Sequence, residues 1–301
     1  MQLTYYTLDV FTENRLAGNP LAVVTDGAAD LDTAAMQAVA REFNLSETVF
    51  VLPSEKPAHS AKVRIFTPAR ELPFAGHPTI GTAVLLAELR EGTTSDEALI
   101  VLEQSIGTVR VGVRLRNGAP YAEFDAPKIP VEAGLLPPAD RLAAGLGLLP
   151  SEIGFENHKP SCFAAGNAFA FVPVSSLDAI ARASPQFPHW NAAFEEQGLV
   201  GAFLYTRQCA HTTSSFHARM FAPASGIAED PATGSAAVCF AGVVKHFDAL
   251  PDGSHRRVIE QGYEMGRPSE LTLTMEVDQG KLGNVRIGGH AVRVSHGQFT
   301  I

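Results

Sequence analysis

Polar and apolar residues alternate in several short segments of the chain, and this alternation predicts β-strands because successive side chains of a strand point to opposite faces. The pattern predicts strands over residues 3–10, 48–52, 62–66, 98–102, 108–115, 202–206 and 271–277. Strands outnumber the other predicted elements, so most of the chain is expected to form sheets.

Two longer segments, residues 78–89 and 231–247, are apolar on nearly every face and predict helices. Each begins with a proline, which suits the first helical turn because its missing N–H would have no partner there. His77 and Asp230 precede these prolines, and aspartate is a strong N-cap residue, histidine a weaker one. A helix that is apolar all round must be buried. Amphipathic helices over residues 33–43 and 138–145 are expected outside.

The chain resembles itself at an offset of about half its length. Residues 77–83 align with residues 230–236 and share Pro, Gly and Ala, while residues 64–69 align with residues 219–224 with four identities in six. A weaker third match pairs residues 106–111 with residues 282–287. Three matches in the same order indicate a duplicated unit.

Duplication in a chain of 301 residues predicts two similar domains. The expected fold class is α+β, with each domain a curled, mostly antiparallel sheet wrapped around a central buried helix. We expect domain boundaries at residues 1–126 and 127–290, with a proline-rich linker at residues 126–138. The C-terminal strand, residues 291–301, is free to pack back onto the first domain.

Composition excludes several classes of function. A net charge of −9 without a block of Lys or Arg argues against nucleic-acid binding. No segment reaches the ~18 apolar residues of a membrane span, so we expect no transmembrane helix. The pattern at the N-terminus predicts a strand, so we expect no signal peptide and a cytoplasmic protein. The three cysteines are scattered, which predicts neither disulfides nor a zinc site. Because GxGxxG, Walker A and HExxH motifs are missing, we expect no cofactor and no metal.

The starts of two buried helices carry free backbone N–H groups with partial positive charge. If the two domains face each other, both helix starts converge on one cleft and form an anion site for a small substrate. Gly76 and Gly234 lie at these starts, where a missing side chain lets a ligand approach the backbone or lets helices pack closely. Ser235 can donate a hydroxyl there. His77 is either a structural polar group or a cationic or donor group opposite Asp230.

Glu47 is the most suggestive candidate for acid–base chemistry. It opens a predicted strand that is apolar on both faces, so its carboxylate is expected to be partly desolvated, as general acid–base catalysis favours. The alternative is a glutamate exposed at the end of a strand.

Several motifs resemble those of the PhzF-like proteins in order and spacing, over nearly the whole chain. They are Asp-Val-Phe-Thr at residues 9–12, Asn-Leu-Ser-Glu-Thr at 44–48, Phe-Ala-Gly-His-Pro-Thr at 74–79 and Gly-Ile-Ala-Glu-Asp-Pro-Ala-Thr-Gly-Ser at 226–235. The resemblance implies a diaminopimelate-epimerase-like fold, a homodimer, and an isomerase that moves a proton on a small anionic substrate without a cofactor.

The resemblance also implies roles for individual residues. Glu47 would be the general acid and base, and the substrate would be bound by Ser46, Gly76, His77, Asp230, Gly234 and Ser235. Two alternatives stay open: a non-catalytic ligand-binding or protein-interaction module that retains the fold, and a thiol-dependent racemase. Related epimerases use two cysteines at the helix starts, where this chain has none, and Cys239 would be the one plausible thiol.

Overall fold

A computed structural model describes residues 1–90, 96–115 and 118–301. The chain forms two compact units, built mainly of β-strands with few helices. The first unit consists of Met1–Pro127 together with Gly288–Ile301, and the second consists of Lys128–Ile287. Within the described ranges, no helix has the length and apolar character needed to cross a membrane.

In its described part, the first unit contains eight strands, two α-helices and the end of the last strand of the chain. Its strands are β1 (Gln2–Val10), β2 (Asn19–Asp26), β3 (Glu47–Leu52), β4 (Ala61–Phe66), β5 (Glu71–Leu72), β6 (Glu97–Gln104), β7 (Gly107–Arg114) and β8 (Tyr121–Asp125), and its helices are α1 (Thr33–Phe43) and α2 (Gly76–Glu88).

The second unit repeats the mixture of strands and helices. Its strands are β9 (Val131–Glu132), β10 (Ser161–Ala164), β11 (Ala168–Pro173), β12 (Ala202–Thr206), β13 (Phe216–Ala222), β14 (Ile227–Asp230), β15 (Gly253–Gln261) and β16 (Ser269–Asp278), and its helices are α3 (Ala139–Leu146), α4 (Leu177–Arg182) and α5 (Gly234–Phe247). The long strand β17 (Lys281–Thr300) begins in this unit, and its residues 291–300 pair with β1.

The strand pairing is mixed in both units. Parallel pairs join β2 to β3 and β4 to β6 in the first unit, and β11 to β12 and β13 to β15 in the second. Hairpins supply antiparallel pairs such as β6 with β7 and β15 with β16. The two parallel strand pairs of the first unit therefore have counterparts in the second unit, in the same order along the chain.

Helix α2 is buried along nearly its whole length and contacts β1, β2, β3, β6, β7 and β8. It begins at Gly76 with Ala75 as its N-cap, two residues before the predicted start. The prediction that His77 caps this helix is therefore wrong. His77 lies inside the first turn, because the extended backbone of Ala75 already ends the preceding segment.

Helix α5 is the buried helix of the second unit. Its residue Phe240 lies within 6 Å, centroid to centroid, of four aromatic rings: Phe171, Phe203, Tyr205 and Phe216. The N-cap is Thr233, so the prediction that Asp230 caps the helix is wrong. Asp230 is instead the last residue of β14, where it pairs with Met220. The residues that follow form the turn that leads into α5 at Gly234.

All the strands expected from alternation are present, with ends that differ by at most two residues. Alternation did not predict β2, β11 and β13, which are buried on nearly every residue and so lack a polar face, and it did not predict the long strand β15 either. The outer helix over residues 33–43 is present with those bounds, capped by the side chain of Asp32, which accepts a hydrogen bond from the backbone N–H of Ala35 at 2.8 Å.

Residues 64–69 and 219–224, which match in sequence, also make the same side-chain contacts in the structure. Arg64 forms two hydrogen bonds to the carboxylate of Glu71, of 2.8 and 2.6 Å, and Arg219 forms two to Glu229, both 2.8 Å. Each guanidinium also lies over the phenylalanine two residues later, 5.1 and 4.7 Å from the ring centroid.

The third internal sequence match does not correspond to a structural equivalence. It aligns β7 with the beginning of β17, whereas the hydrogen-bonding partners show that β16 is the equivalent of β7. Strand β7 is the antiparallel partner of β6, and β16 holds that position next to β15. Residues 262–268 separate β15 from β16, and this longer connection shifts the sequence offset.

Candidate functional site

Glu47 and His77 lie together in the first unit. The Nε2 atom of His77 is 3.3 Å from Oε2 of Glu47, and the two residues are 3% and 9% exposed. The turn that delivers Glu47 depends on Asn44, which ends α1 in the left-handed conformation that asparagine tolerates. Ser46, half-buried, directly precedes Glu47 at the start of β3. The structure thus brings together the first-unit candidates that the sequence singled out.

His77 is a neutral imidazole. Burial lowers its pKa to about 3, so the ring carries no charge at neutral pH. An uncharged ring fits two of the roles expected for His77, a structural polar group and a hydrogen-bond donor, and not that of a cation.

Both buried helices begin without a side-chain cap. Ala75 has no side-chain acceptor, and the hydroxyl of Thr233 donates to the carboxylate of Asp230 rather than accepting from the helix. By contrast, α1 and α4 are capped by Asp32 and Ser176. The starts of α2 and α5 thus have no side-chain cap, and helix starts of this kind can bind anions.

Asp230, Gly234 and Ser235 are arranged around the start of α5 in the second unit. Asp230 is 8% exposed, Gly234 is buried as the first residue of the helix, and Ser235 is half-buried. In the first unit Gly76 has the corresponding place at the start of α2 and is also buried. Nearby Gly81 serves packing, since an added Cβ would lie 2.6 Å from Leu21 Cδ2.

Sequence reasoning missed two glutamines that hold the helix starts. Gln261 donates from Nε2 to the backbone oxygen of Asp230 at 2.7 Å and to the hydroxyl of Thr233 at 3.1 Å. Gln104 donates to the hydroxyl of Thr79 at 2.9 Å. Each glutamine ends a strand and follows a glutamate, in the sequences Val-Leu-Glu-Gln and Val-Ile-Glu-Gln at residues 101–104 and 258–261. This repeated tetrapeptide was the signal available in the sequence.

The cysteines are poorly suited to acid–base chemistry. Burial raises the pKa of Cys209 and that of Cys239 to about 12, so the thiolate form is rare at neutral pH. Across the residues that the structure describes, no three His, Cys, Asp or Glu side chains are grouped to hold a metal ion.

A second buried ionic cluster surrounds His217. Its Nδ1 lies 2.8 Å from Oε1 of Glu260, and its Nε2 lies 2.9 Å from Oε1 of Glu264. Burial lowers the pKa of His217, but hydrogen bonds and charge from both glutamates outweigh this and raise it to about 9. Both ring nitrogens of His217 therefore contact carboxylates.

Comparison with known proteins gives consistent results. An uncharacterised isomerase of Mesorhizobium japonicum is 50% identical to this chain over 100% of both sequences. Trans-2,3-dihydro-3-hydroxyanthranilate isomerase of Pseudomonas fluorescens is 35% identical over 99% of both. The crystal structure of a phenazine biosynthesis protein of the PhzF family from Bacillus anthracis matches with a TM-score of 0.90 and 25% identity over 100% of both chains.

The profile of the phenazine biosynthesis-like protein family matches residues 8–297. This range includes the Glu47–His77 pair and the starts of both buried helices. With isomerases among relatives that align over the full length, the chain belongs to the phenazine biosynthesis-like, or PhzF-like, family and is an isomerase.

Proposed function

We propose that this isomerase moves a proton on a small carboxylate-bearing substrate without a cofactor, and that Glu47 is its general acid and base. The observation that carries the proposal is the buried Glu47 carboxylate, 3.3 Å from the neutral ring of His77. General acid–base catalysis needs a carboxylate within reach of the transferred proton and shielded from bulk water. A cytoplasmic location is proposed on the composition and the resemblance, and a homodimer on the resemblance alone.

The proposed step conserves all atoms and electrons. The Glu47 carboxylate takes a proton from a carbon of the substrate, and the electron pair of that C–H bond shifts the adjacent double bond. Glu47, now a carboxylic acid, returns the proton to a different carbon. His77, being neutral, orients the substrate by donating or accepting one hydrogen bond.

The substrate carboxylate is proposed to bind at uncapped helix starts. Gly76 and Gly234 carry no side chain that would keep a ligand from the backbone there, and Ser46 and Ser235 supply hydroxyl groups. Asp230 is proposed to accept a hydrogen bond from an amino or hydroxyl group of the substrate. Trans-2,3-dihydro-3-hydroxyanthranilate is the first compound to test, because the Pseudomonas fluorescens relative is named for its isomerisation.

The decisive variant is Glu47→Gln, assayed for turnover and for deuterium uptake from D₂O into trans-2,3-dihydro-3-hydroxyanthranilate. We expect turnover to fall by at least about 10²-fold, because the amide cannot accept the proton. Ligand affinity and the far-UV circular dichroism spectrum should change little. Glu42→Gln, the same substitution at an exposed position of α1, is the matched control and should retain activity.

Full activity in Glu47→Gln would assign the base to another group and contradict the proposal. Tight binding without deuterium uptake by the unmodified protein, across a panel of cyclic and linear amino and hydroxy acids, would instead favour a non-catalytic ligand-binding module.

A further inference from the structure

Thr233 is the N-cap of α5, but its hydroxyl does not cap the helix. A threonine at this position usually accepts a hydrogen bond from a backbone N–H group two or three residues later. The side chain of Thr233 accepts none from α5. Its hydroxyl instead donates to Oδ2 of Asp230, three residues earlier, at 2.5 Å. The hydroxyl therefore serves the aspartate and not the helix.

Gln261 fixes the direction of this hydrogen bond. Its Oε1 accepts from the backbone N–H of Thr233 at 3.2 Å, and its Nε2 donates to the backbone oxygen of Asp230 at 2.7 Å. Because a backbone N–H only donates and a carbonyl oxygen only accepts, the amide has one possible orientation. Nε2 also donates to the hydroxyl oxygen of Thr233 at 3.1 Å. That oxygen accepts from the glutamine, so the single hydroxyl proton is directed to Asp230.

This network is buried. Gln261 is fully buried, and Asp230 is 8% exposed. A buried polar group that loses its partner costs free energy, so each hydrogen bond of the network keeps the other groups in place. The orientation of the Asp230 carboxylate therefore depends on the hydroxyl of Thr233.

Strand pairing identifies the residue of the first unit that is equivalent to Asp230. Met220 pairs with Asp230 between β13 and β14. Ile65, which aligns with Met220 in the internal sequence match, pairs with Leu72 between β4 and β5. Leu72 is therefore the structural equivalent of Asp230. The sequence match of Asp230 with His77 does not correspond to a structural equivalence.

The N-caps of the two buried helices correspond in the same way. Ala75 lies three residues after Leu72, Thr233 lies three residues after Asp230, and a glycine begins the helix after each N-cap. The first unit thus has neither the hydroxyl nor the carboxylate, and α2 still forms a buried helix of 13 residues. A threonine is not needed to build this helix start. The threonine is found in the unit that has the aspartate.

The glutamine, by contrast, belongs to both units. Gln104 ends β6 as Gln261 ends β15, and Gln104 donates to the hydroxyl of Thr79, within α2, at 2.9 Å. Both glutamines therefore hold a helix start, whereas the contact between Thr233 and Asp230 is a feature of the second unit.

We propose that Thr233 is a positioning residue of the isomerase, whose hydroxyl holds the Asp230 carboxylate in the orientation that accepts a hydrogen bond from an amino or hydroxyl group of the substrate. The inference rests on the proposed function, in which Asp230 has that role. Thr233 then contributes to specificity, because a carboxylate compound without such a donor gains nothing from the oriented aspartate. A threonine that only supported the helix start would affect both kinds of compound alike.

Anthranilate and benzoate are suitable probes, because both have a carboxylate and they differ by one amino group. In calorimetric titrations of the unmodified protein, we expect anthranilate to bind about tenfold more tightly than benzoate, the value of one hydrogen bond to a charged group. Thr233→Val replaces the hydroxyl with a methyl group, and this preference should fall to about threefold or less. Thr233→Ser keeps the hydroxyl and should keep the preference. Thr213→Val, at an exposed threonine of the same unit, is the control and should also keep it.

Benzoate separates positioning from structural support. Its affinity should be unchanged in Thr233→Val, since it has no donor for Asp230. If Thr233→Val weakened both probes by the same factor, or left the preference unchanged, the role proposed for Thr233 would be refuted. Loss of the preference in Thr233→Ser would refute it as well, because the hydroxyl would then not be the group that matters.

Asp230→Ala distinguishes this inference from the proposed function. If Asp230→Ala abolishes the preference for anthranilate and Thr233→Val retains it, the role of Asp230 stands and the role of Thr233 alone fails. If the unmodified protein binds neither probe, or binds both equally, the role proposed for Asp230 fails and the inference fails with it. The role of Glu47 is tested separately by the turnover of Glu47→Gln.

Discussion

The His217→Gln variant tests the charge balance of the buried cluster in the second unit. The His217 side chain is 3% exposed and bridges two carboxylates, Glu260 and Glu264. Burial opposes ionisation, but the two glutamates raise the pKa of His217 from 6.5 to about 9. Glutamine keeps a hydrogen-bonding side chain of similar reach and cannot become a cation, so the substitution removes the charge with little change in volume.

The sign and size of the effect follow from linkage between protonation and folding. A histidine whose pKa is higher in the folded state stabilises the protein fully below its unfolded pKa, 6.5, and loses that contribution as the pH rises through about 9. At 1.36 kcal/mol per pKa unit, His217 contributes about 3 kcal/mol at pH 6, about 2.5 kcal/mol at pH 7 and almost nothing at pH 10.

Urea unfolding at pH 7 and pH 10 measures this contribution. We expect His217→Gln to lower the free energy of unfolding by about 2.5 kcal/mol or more at pH 7, and the gap to the unmodified protein to shrink by about that amount at pH 10. Ionisation of other groups cancels in the difference. His189→Gln, an exposed histidine of the same unit, should show no gap at either pH. A gap for His217→Gln that is equal at both pH values would refute a charged His217.

Three further predictions concern packing, helix placement and thiols. Gly81→Ala should lower the free energy of unfolding by about 1–3 kcal/mol in thermal unfolding, because the new methyl group would meet Leu21 and Val10 at 2.6 and 2.8 Å; unchanged stability would show that the strands can relax. Gln261→Leu should cost about 2–3 kcal/mol in urea unfolding and reduce isomerase turnover, since it removes the donor to the Asp230 carbonyl; full activity would show that this hydrogen bond does not position the helix start. Isomerase activity should survive iodoacetamide at pH 8, because burial raises the pKa of Cys239 to about 12; inactivation that Cys239→Ala prevents would point to a thiol mechanism.

The elements were predictable from the sequence because their signals are local. Alternation gave the position of β12 to the residue, and the apolar faces gave both buried helices. The starts of those helices were not predictable, because tertiary pairing decided them. Asp230 has the residue type of an N-cap, but its pairing with Met220 extends β14 and moves the start of α5 to Gly234.

The chemistry of the candidate site was only partly readable from the sequence. The sequence pattern singled out Glu47 and His77, which are in contact in the structure. The neutral state of His77 depends on its burial, which becomes apparent only in the folded chain.

Strand β17 has a consequence for the order in which the molecule assembles on the ribosome. Its register with β1 places Gln2 opposite Thr300, so β1 must wait until β17 has been synthesised before this ladder closes. The second unit is continuous in sequence and can complete its core earlier. Until β17 has been synthesised, the nascent chain therefore exposes an unpaired edge of β1, which is a site for chaperone capture or aggregation.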